Sequence, residues 1–127
     1  MNATSKYRFT IIVPIFNEED NIHALEERLA AFLPAAAEKA CVLFVNDGSK
    51  DASGERLKEI CGRNEDFYHI DFERNAGLSA ALKAGIDYTE SEYLGYMDAD
   101  LQTAPEDFNL LLKDIGEYSM VIGIRTA

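Results

Sequence analysis

Two aspartates in the last third of the chain have the types and spacing of a metal site. Asp98 and Asp100 lie two residues apart in the segment Met-Asp-Ala-Asp-Leu-Gln, after a short apolar run, and Gln102 adds another oxygen. Oxygen ligands suit Mg²⁺, Mn²⁺ or Ca²⁺ rather than zinc. Proteins commonly hold Mg²⁺ by one or two carboxylates together with the phosphates of a substrate. The motif therefore predicts a divalent cation, Mg²⁺ or Mn²⁺, and a phosphorylated substrate.

A solvated turn with a helix-capping acid is the competing interpretation of the same segment. An EF-hand loop is disfavoured, because its sixth position needs glycine and Thr103 stands there. The metal interpretation is favoured because Asp98 and Asp100 follow a segment with the pattern of a buried strand and precede Gln102.

Composition limits the kinds of partner. The chain has 127 residues, 47% of them hydrophobic, and a formal net charge of −11, which fits one globular domain with a real core. An acidic domain argues against nucleic-acid binding and repels anions. A phosphorylated ligand must therefore be held locally, by a metal ion, by backbone N–H groups or by a few cations. No apolar run approaches the roughly 20 residues of a membrane helix.

The cysteines and the first residues indicate the cellular compartment of the protein. Cys41 and Cys61 lack CxxC spacing, which predicts reduced thiols and a cytoplasmic location. Residues 1–6 lack the apolar region of a secretory signal, and we expect them to form a disordered segment before the first strand.

Alternating strand and helix patterns must position these residues. Apolar, β-rich runs predict strands over 9–13, 41–45, 67–72, 93–97 and 119–122. Helical spacing predicts helices over 21–33, from a cap at Ser49 or Asp51 to about Cys61, over 78–88 and over 106–115. The βαβαβαβαβ order predicts an α/β fold of three α/β/α layers, with a mostly parallel, twisted sheet and right-handed crossovers.

Four turn-rich segments follow predicted strands, and ligands of such sheets bind at the carboxyl ends of the strands. The segments are 14–19, 46–49, 74–77 and 98–102. Each of the first three also has a purely structural explanation: a strand end with helix-capping acids, a turn whose Ser49 caps the next helix, and the start of a helix. In a functional interpretation, Asp47 would accept a hydrogen bond from a base N–H, and Phe16 would offer a flat face near the base.

Segment 74–77 and the isolated histidines and tyrosines argue against other common kinds of functional site. Segment 74–77 is neither a GxGxxG fingerprint nor a P-loop, so dinucleotide and Walker-type binding are disfavoured, although a helix start can attract a phosphate. His23 and His69 are interpreted as structural, and Tyr93 and Tyr96 as packing residues.

The ordered set of motifs is specific. Pro-Ile-Phe-Asn-Glu-Glu, Val-Asn-Asp-Gly-Ser, Arg-Asn-x-Gly, Met-Asp-Ala-Asp-Leu-Gln and Gly-Ile-Arg follow one another at strand ends. This set resembles the family 2 inverting glycosyltransferases, which have the Rossmann-like GT-A fold of nucleotide-diphospho-sugar transferases. Asp-Ala-Asp-Leu-Gln followed by Pro-Glu is most similar to the polyprenol- and dolichol-phosphate sugar transferases. The resemblance covers residues 8–125 and implies that 7–127 are the nucleotide-sugar-binding part of a domain truncated before its acceptor half.

The resemblance implies a donor, an acceptor and residue roles. The donor would be a UDP- or GDP-sugar, transferred with inversion to a lipid phosphate such as polyprenol phosphate, or to a saccharide. The implied nucleotide-sugar-binding residues are Pro14, Phe16, Glu18, Asp47, Asp98 and Asp100. The implied metal ligands are Asp98, Asp100 and Gln102, and Arg125 would lie near an acceptor phosphate. Many relatives carry two acids before Gly-Ser, whereas here Asn46 replaces the first.

The resemblance also implies that the catalytic base lies C-terminal to Ala127, so we expect donor binding but not catalysis from these residues alone. Membrane association is expected only through that later region, with the parent protein at the cytoplasmic face of a membrane. Two alternatives stay open: an Asp-dependent phosphatase or phosphotransferase, whose acid pair usually follows the first strand, and a non-catalytic nucleotide-binding module.

Overall fold

The computed structural model describes residues 2–100, 104–112 and 121–123. Its strands are β1 (Phe9–Ile15), β2 (Ala40–Asn46), β3 (Phe67–Asp71), β4 (Tyr93–Tyr96) and β5 (Val121–Gly123). Its α-helices are α1 (Ile22–Phe32), α2 (Ser53–Arg63), α3 (Leu78–Tyr88) and α4 (Asp107–Leu112), with 3-10 helices at Ala3–Lys6 and Leu33–Ala35. The predicted alternation of strands and helices is confirmed.

All five strands form one parallel sheet in the order β3-β2-β1-β4-β5. The chain starts in the middle of the sheet, moves outward to β3, and then crosses to β4 on the other side of β1. The loops after β1 and β4 therefore lie side by side, although their strands lead to opposite halves of the sheet. Open α/β sheets bind ligands at such a reversal of strand order.

Helices cover both faces of the sheet, as the α/β/α prediction requires. Buried side chains of α1, α2 and α4 join one core with β1 and β2, and the T-shaped pair of Phe9 and Phe108 belongs to it. On the other face, Ala81 of α3 packs with Ile12 and Leu43. Each large apolar side chain buried this way contributes about 1.5–3 kcal/mol. The two cores hold the strand ends in fixed positions.

The N-terminal segment is ordered where it is described, so the prediction of disorder for residues 1–6 is wrong for 2–6. Thr4 is fully buried in the 3-10 helix Ala3–Lys6. Its hydroxyl accepts a hydrogen bond from the Glu90 N–H (2.8 Å), and its carbonyl accepts one from the Ser91 hydroxyl (3.0 Å). Composition alone missed these bonds because the partners are distant in sequence.

Strand β1 continues through Pro14, which was expected to end it at residue 13. The Ile12 carbonyl accepts the Met97 N–H (3.1 Å), and the Ile15 carbonyl accepts the Asp47 N–H (2.8 Å). Alternation along the strand places Pro14 on the β4 side, where pairing has already ended. The missing N–H of proline therefore costs the sheet no hydrogen bond.

The two thiols are free, as predicted. Burial raises the pKa of Cys41 to about 11 and that of Cys61 to about 12. In the part of the chain that the structure describes, no helix has the length and apolar character needed to cross a membrane.

Candidate functional site

A cleft of about 690 Å³ lies at the carboxyl ends of the central strands. The six predicted nucleotide-sugar-binding residues all line it: Pro14, Phe16, Glu18, Asp47, Asp98 and Asp100. The structure therefore brings together side chains that follow three different strands. The predicted metal ligand Gln102 and the predicted acceptor-phosphate residue Arg125 lie outside the described residues.

Asp47 holds the loop between β3 and α3. Its side chain is almost fully buried, with 4% exposed. One carboxylate oxygen accepts the Ala76 N–H (2.7 Å), and the other accepts the Gly77 N–H and the Asn75 amide (3.0 Å each). Hydrogen bonds to a charged acceptor are about twice as strong as neutral ones. Asp47 is thus a structural clamp as well as a cleft residue.

The loop after β1 is tied to the loop after β2. Asn17 has a left-handed backbone (φ 53°), its N–H donates to the Ser49 hydroxyl (3.0 Å), and its side chain accepts the Lys50 N–H (2.9 Å). The Glu18 N–H donates to the Ser53 hydroxyl (2.8 Å). These bonds fix the backbone of Asn17 and Glu18, directly after the cleft residue Phe16.

Helix α2 starts later than predicted, at Ser53, and Ser49 does not cap it. Asp51, the other predicted cap, accepts the Ser53 N–H (2.9 Å) and the Glu19 N–H (3.3 Å). Burial opposes ionisation of Asp51, but hydrogen bonds from Ser53 and Glu19 outweigh it and lower the pKa of this carboxyl. The ionised Asp51 therefore also joins the two loops.

Asn46 plays a supporting role. It is 6% exposed, donates from its amide to Asp71 (3.1 Å) and accepts the Ser49 N–H (3.1 Å). Asp71 also contacts His69 Nδ1 (2.6 Å), which agrees with a structural His69.

The candidate metal ligands stand at one side of the cleft. Asp98 is half-buried, Asp100 is exposed, and the Tyr96 hydroxyl donates to Asp98 Oδ1. Tyr96 was interpreted only as a packing residue. The signal available was its position two residues before Asp98, since side chains at i and i+2 of an extended chain point the same way.

The donor set fits Mg²⁺ or Mn²⁺. Among the described residues, no group of three or more His, Cys, Asp or Glu side chains could hold a metal ion. Asp98 and Asp100 would therefore supply only part of a coordination shell. Two carboxylates completed by phosphates are the usual Mg²⁺ arrangement, whereas zinc prefers nitrogen and sulfur ligands.

Further cleft residues were not among those predicted. They are Ile15, Asn75, Gly77, Leu78 and Ala99. Leu78 is 52% exposed and Phe16 is 43% exposed, so two large apolar side chains meet solvent at the cleft. The cleft thus combines apolar surface with the acids Glu18, Asp98 and Asp100. The position of segment 74–77 after a strand was the sequence signal that could have added Asn75.

Comparison with protein families assigns the chain. The family described as Glycosyl transferase family 2 matches residues 10–127. The chain therefore belongs to glycosyl transferase family 2, and the expected family resemblance is confirmed.

Curated relatives agree with this assignment. The chain is 39% identical over 120 residues to the uncharacterized glycosyltransferase YkcC of Bacillus subtilis, covering 94% of this chain and 37% of that protein. It is 33% identical over 120 residues to the dolichol-phosphate mannosyltransferase of Saccharomyces cerevisiae, covering 94% of this chain and 45% of that protein. With the dodecaprenyl-phosphate galacturonate synthase of Rhizobium johnstonii the identity is 34% over 119 residues, covering 91% and 35%. The chain thus spans less than half the length of these relatives.

Solved structures share the fold. The mannosyltransferase PcManGT from Pyrobaculum calidifontis, in complex with GDP-Man and Mn²⁺, superposes with a TM-score of 0.73 at 20% identity, covering 87% of this chain and 33% of that chain. TarS 1-349 of S. aureus gives a TM-score of 0.68 at 21% identity, covering 87% and 32%. The GT-A fold prediction is therefore confirmed.

Proposed function

We propose that this chain binds a nucleoside-diphosphate sugar through Mg²⁺ or Mn²⁺, as the donor-binding part of an inverting glycosyltransferase. The carrying observation is that Asp98 and Asp100 line the same cleft as the loops held by Asp47. Family membership supports the reaction class. The names of the relatives support a polyprenol-phosphate acceptor over a saccharide.

Electrostatics explains why a cation is needed. The chain carries a net charge of −11, and the cleft contains Glu18, Asp98 and Asp100. A diphosphate would be repelled by this field. Asp98 and Asp100 can instead hold a divalent cation whose remaining positions the phosphates fill. When bound, that cation supplies Lewis-acid stabilisation to the nucleoside diphosphate that leaves the sugar.

The remaining cleft residues would position the nucleoside. Phe16 and Leu78 offer apolar surface to the base or ribose, and Asp47 fixes the backbone of the loop beside them. A lipid-phosphate acceptor would put the parent protein at the cytoplasmic face of a membrane.

Calorimetric titration of the 127-residue chain with GDP and UDP tests the proposal, with Mn²⁺ and with EDTA. We expect binding with Mn²⁺ and its loss in EDTA. Asp100→Ala should weaken Mn²⁺-dependent binding by roughly tenfold or more. The matched control is Asp87→Ala, because Asp87 is exposed and pairs with Lys83 (2.6 Å) near the other end of α3. That position is roughly 13 Å along the helix from the cleft residue Leu78.

Two results would overturn the proposal, each in favour of a different function. Nucleotide binding that ignores EDTA and Asp100→Ala would indicate a nucleotide-binding module that uses no metal. Phosphate release from a simple phosphate ester, lost in Asp98→Asn, would indicate the phosphatase alternative.

A further inference from the structure

The amide of Asn75 has a fixed orientation. Its Nδ2 lies 3.0 Å from the Asp47 Oδ2 and 3.2 Å from the Asp47 carbonyl oxygen. An ionised carboxylate and a carbonyl both only accept hydrogen bonds. The nitrogen must therefore face Asp47, and Oδ1 of Asn75 must point away from it. Flipping the amide would bring oxygen against two oxygens.

Asn75 Oδ1 is consequently an acceptor without a donor in the part of the chain that the structure describes. The side chain is exposed and lines the cleft. An exposed acceptor next to a cleft is available to a ligand at little cost, because it needs no rearrangement of the protein.

The neighbouring donors are already used. Asn75 Nδ2 and the N–H groups of Ala76 and Gly77 all donate to Asp47. A carboxylate has about four acceptor sites, so three donors leave one, on Oδ1. We call Asp47 Oδ1 and Asn75 Oδ1 the acceptor edge of the cleft. This edge offers two hydrogen-bond acceptors to a ligand, because the three neighbouring donors already bond to Asp47.

Nucleobases differ in how they match such an edge. Guanine presents two adjacent donors, N1–H and the exocyclic N2 amino group. Uracil presents one donor, N3–H, between two carbonyl oxygens. Asp47 Oδ1 and Asn75 Oδ1 can each accept from one of the two guanine donors, whereas uracil, with a single donor, would leave one of these oxygens unpaired. Leaving polar groups unpaired is a strong source of discrimination.

We propose that the acceptor edge selects guanine, so that the donor of this transferase is a GDP-sugar and Asn75 is a specificity-determining residue. The inference rests on the proposed function. It adds the identity of the base and a role for Asn75, which belongs to the Arg-Asn-x-Gly motif but was given no role of its own from the sequence. In this arrangement Asp47 positions Asn75 and accepts from N1–H, while Asn75 Oδ1 accepts from the N2 amino group.

The test compares GDP, IDP and UDP in calorimetric titrations of the 127-residue chain with Mn²⁺. IDP is GDP without the N2 amino group, so it removes one donor and nothing else. We expect GDP to bind at least roughly tenfold more tightly than IDP or UDP.

The variant Asn75→Ala distinguishes recognition of the base by Asn75 from a purely structural role of this residue. The variant should bind GDP as weakly as it binds IDP, while its affinity for IDP stays at the wild-type value. A purely structural role would lower GDP and IDP affinity by the same factor. Asn109→Ala is the control, because Asn109 bonds to Ala35 and Ala37 outside the cleft.

The outcomes are distinguishable from those of the proposed function. Equal or tighter Mn²⁺-dependent binding of UDP would overturn the guanine inference and leave nucleotide-sugar binding standing. A GDP preference that survives Asn75→Ala would overturn the role of Asn75. Absence of Mn²⁺-dependent binding for all three nucleotides would overturn the proposed function itself and this inference with it.

Discussion

Gly48 and Arg74 are in such close contact that no side chain fits between them. A Cβ on Gly48 would stand 2.3 Å from the carbonyl carbon of Arg74 and 2.3 Å from the nitrogen of Asn75. The backbone of Gly48 also has a φ of +66°, which L-residues with a side chain rarely adopt. The loop between β3 and α3 is therefore seated directly on the turn after β2.

Gly48→Ala should destabilise the chain by more than about 2 kcal/mol, since overpacking costs about 1–3 kcal/mol and left-handed backbone about 1–2 kcal/mol. Urea unfolding measures the change. Gly62→Ala is the control, because nothing lies within 4 Å of a Cβ there and Gly62 is in α2. Alanine in a helix should stabilise by about 0.5–1 kcal/mol. Equal effects of the two changes would contradict the close seating of the loop.

Asp47→Asn should loosen the same loop. The amide nitrogen would replace one of the two carboxylate oxygens, so it would bring N–H donors toward either the Ala76 N–H, which now donates to Oδ1, or the Gly77 N–H, which now donates to Oδ2. We expect a loss of about 2–3 kcal/mol, the range for hydrogen bonds to a charged group. Hydrogen exchange followed by NMR should show faster exchange of the Ala76 and Gly77 amides. Unchanged protection of both amides would mean that Asp47 does not clamp the loop.

Tyr96→Phe should weaken Mn²⁺-dependent nucleotide binding. The Tyr96 hydroxyl donates to Asp98 Oδ1, and partners that orient a metal ligand are worth roughly 10–100-fold in metal affinity. Titration of nucleotide at several Mn²⁺ concentrations gives the metal affinity. Tyr88→Phe is the matched control, since Tyr88 ends α3 away from the cleft. If both variants bind Mn²⁺ and nucleotide like the wild type, the hydroxyl has no part in the metal site.

The buried thiol of Cys41 predicts a loss of stability in alkali. Burial raises the pKa of Cys41 from its usual 9.0 to about 11, so the folded state favours the protonated thiol. This contribution is complete below pH 9 and is lost as the pH rises toward 11, at about 1.4 kcal/mol per pKa unit. The stability difference between wild type and Cys41→Ala should therefore shrink by about 2–3 kcal/mol across this window.

Urea unfolding of both proteins at several pH values between 8.5 and about 11.5 gives that difference, because the other titrating groups are common to the two chains. A constant difference across the window would show that the thiol ionises as easily in the folded state as in the unfolded one.

Apolar patterns predicted the fold well, because strands buried on both faces read as continuous apolar runs and amphipathic helices leave a helical period. Helix α3 has the predicted bounds, Leu78–Tyr88. The errors occur where hydrogen bonds between residues distant in sequence determine the local structure. Thr4 is ordered by Glu90 and Ser91, and β1 runs through Pro14 because β4 has already ended beside it.

The cleft was predicted through its motifs, and its internal contacts were not. The six residues named from the sequence all line it. The roles of Asn75 and Tyr96 depend on which side chains meet in space. Asn75 is separated from Asp47 by 28 residues, and no periodic pattern reports such a contact.

The 3-10 helix Ala3–Lys6 packs at the amino-terminal edge of the sheet, next to the residues that lead into β4. The cleft lies at the opposite edge, a β1 strand length of roughly 23 Å away. A purification tag or surface-immobilisation handle fused before Met1 would thus leave the cleft open to solution, although it would have to spare the buried hydroxyl of Thr4.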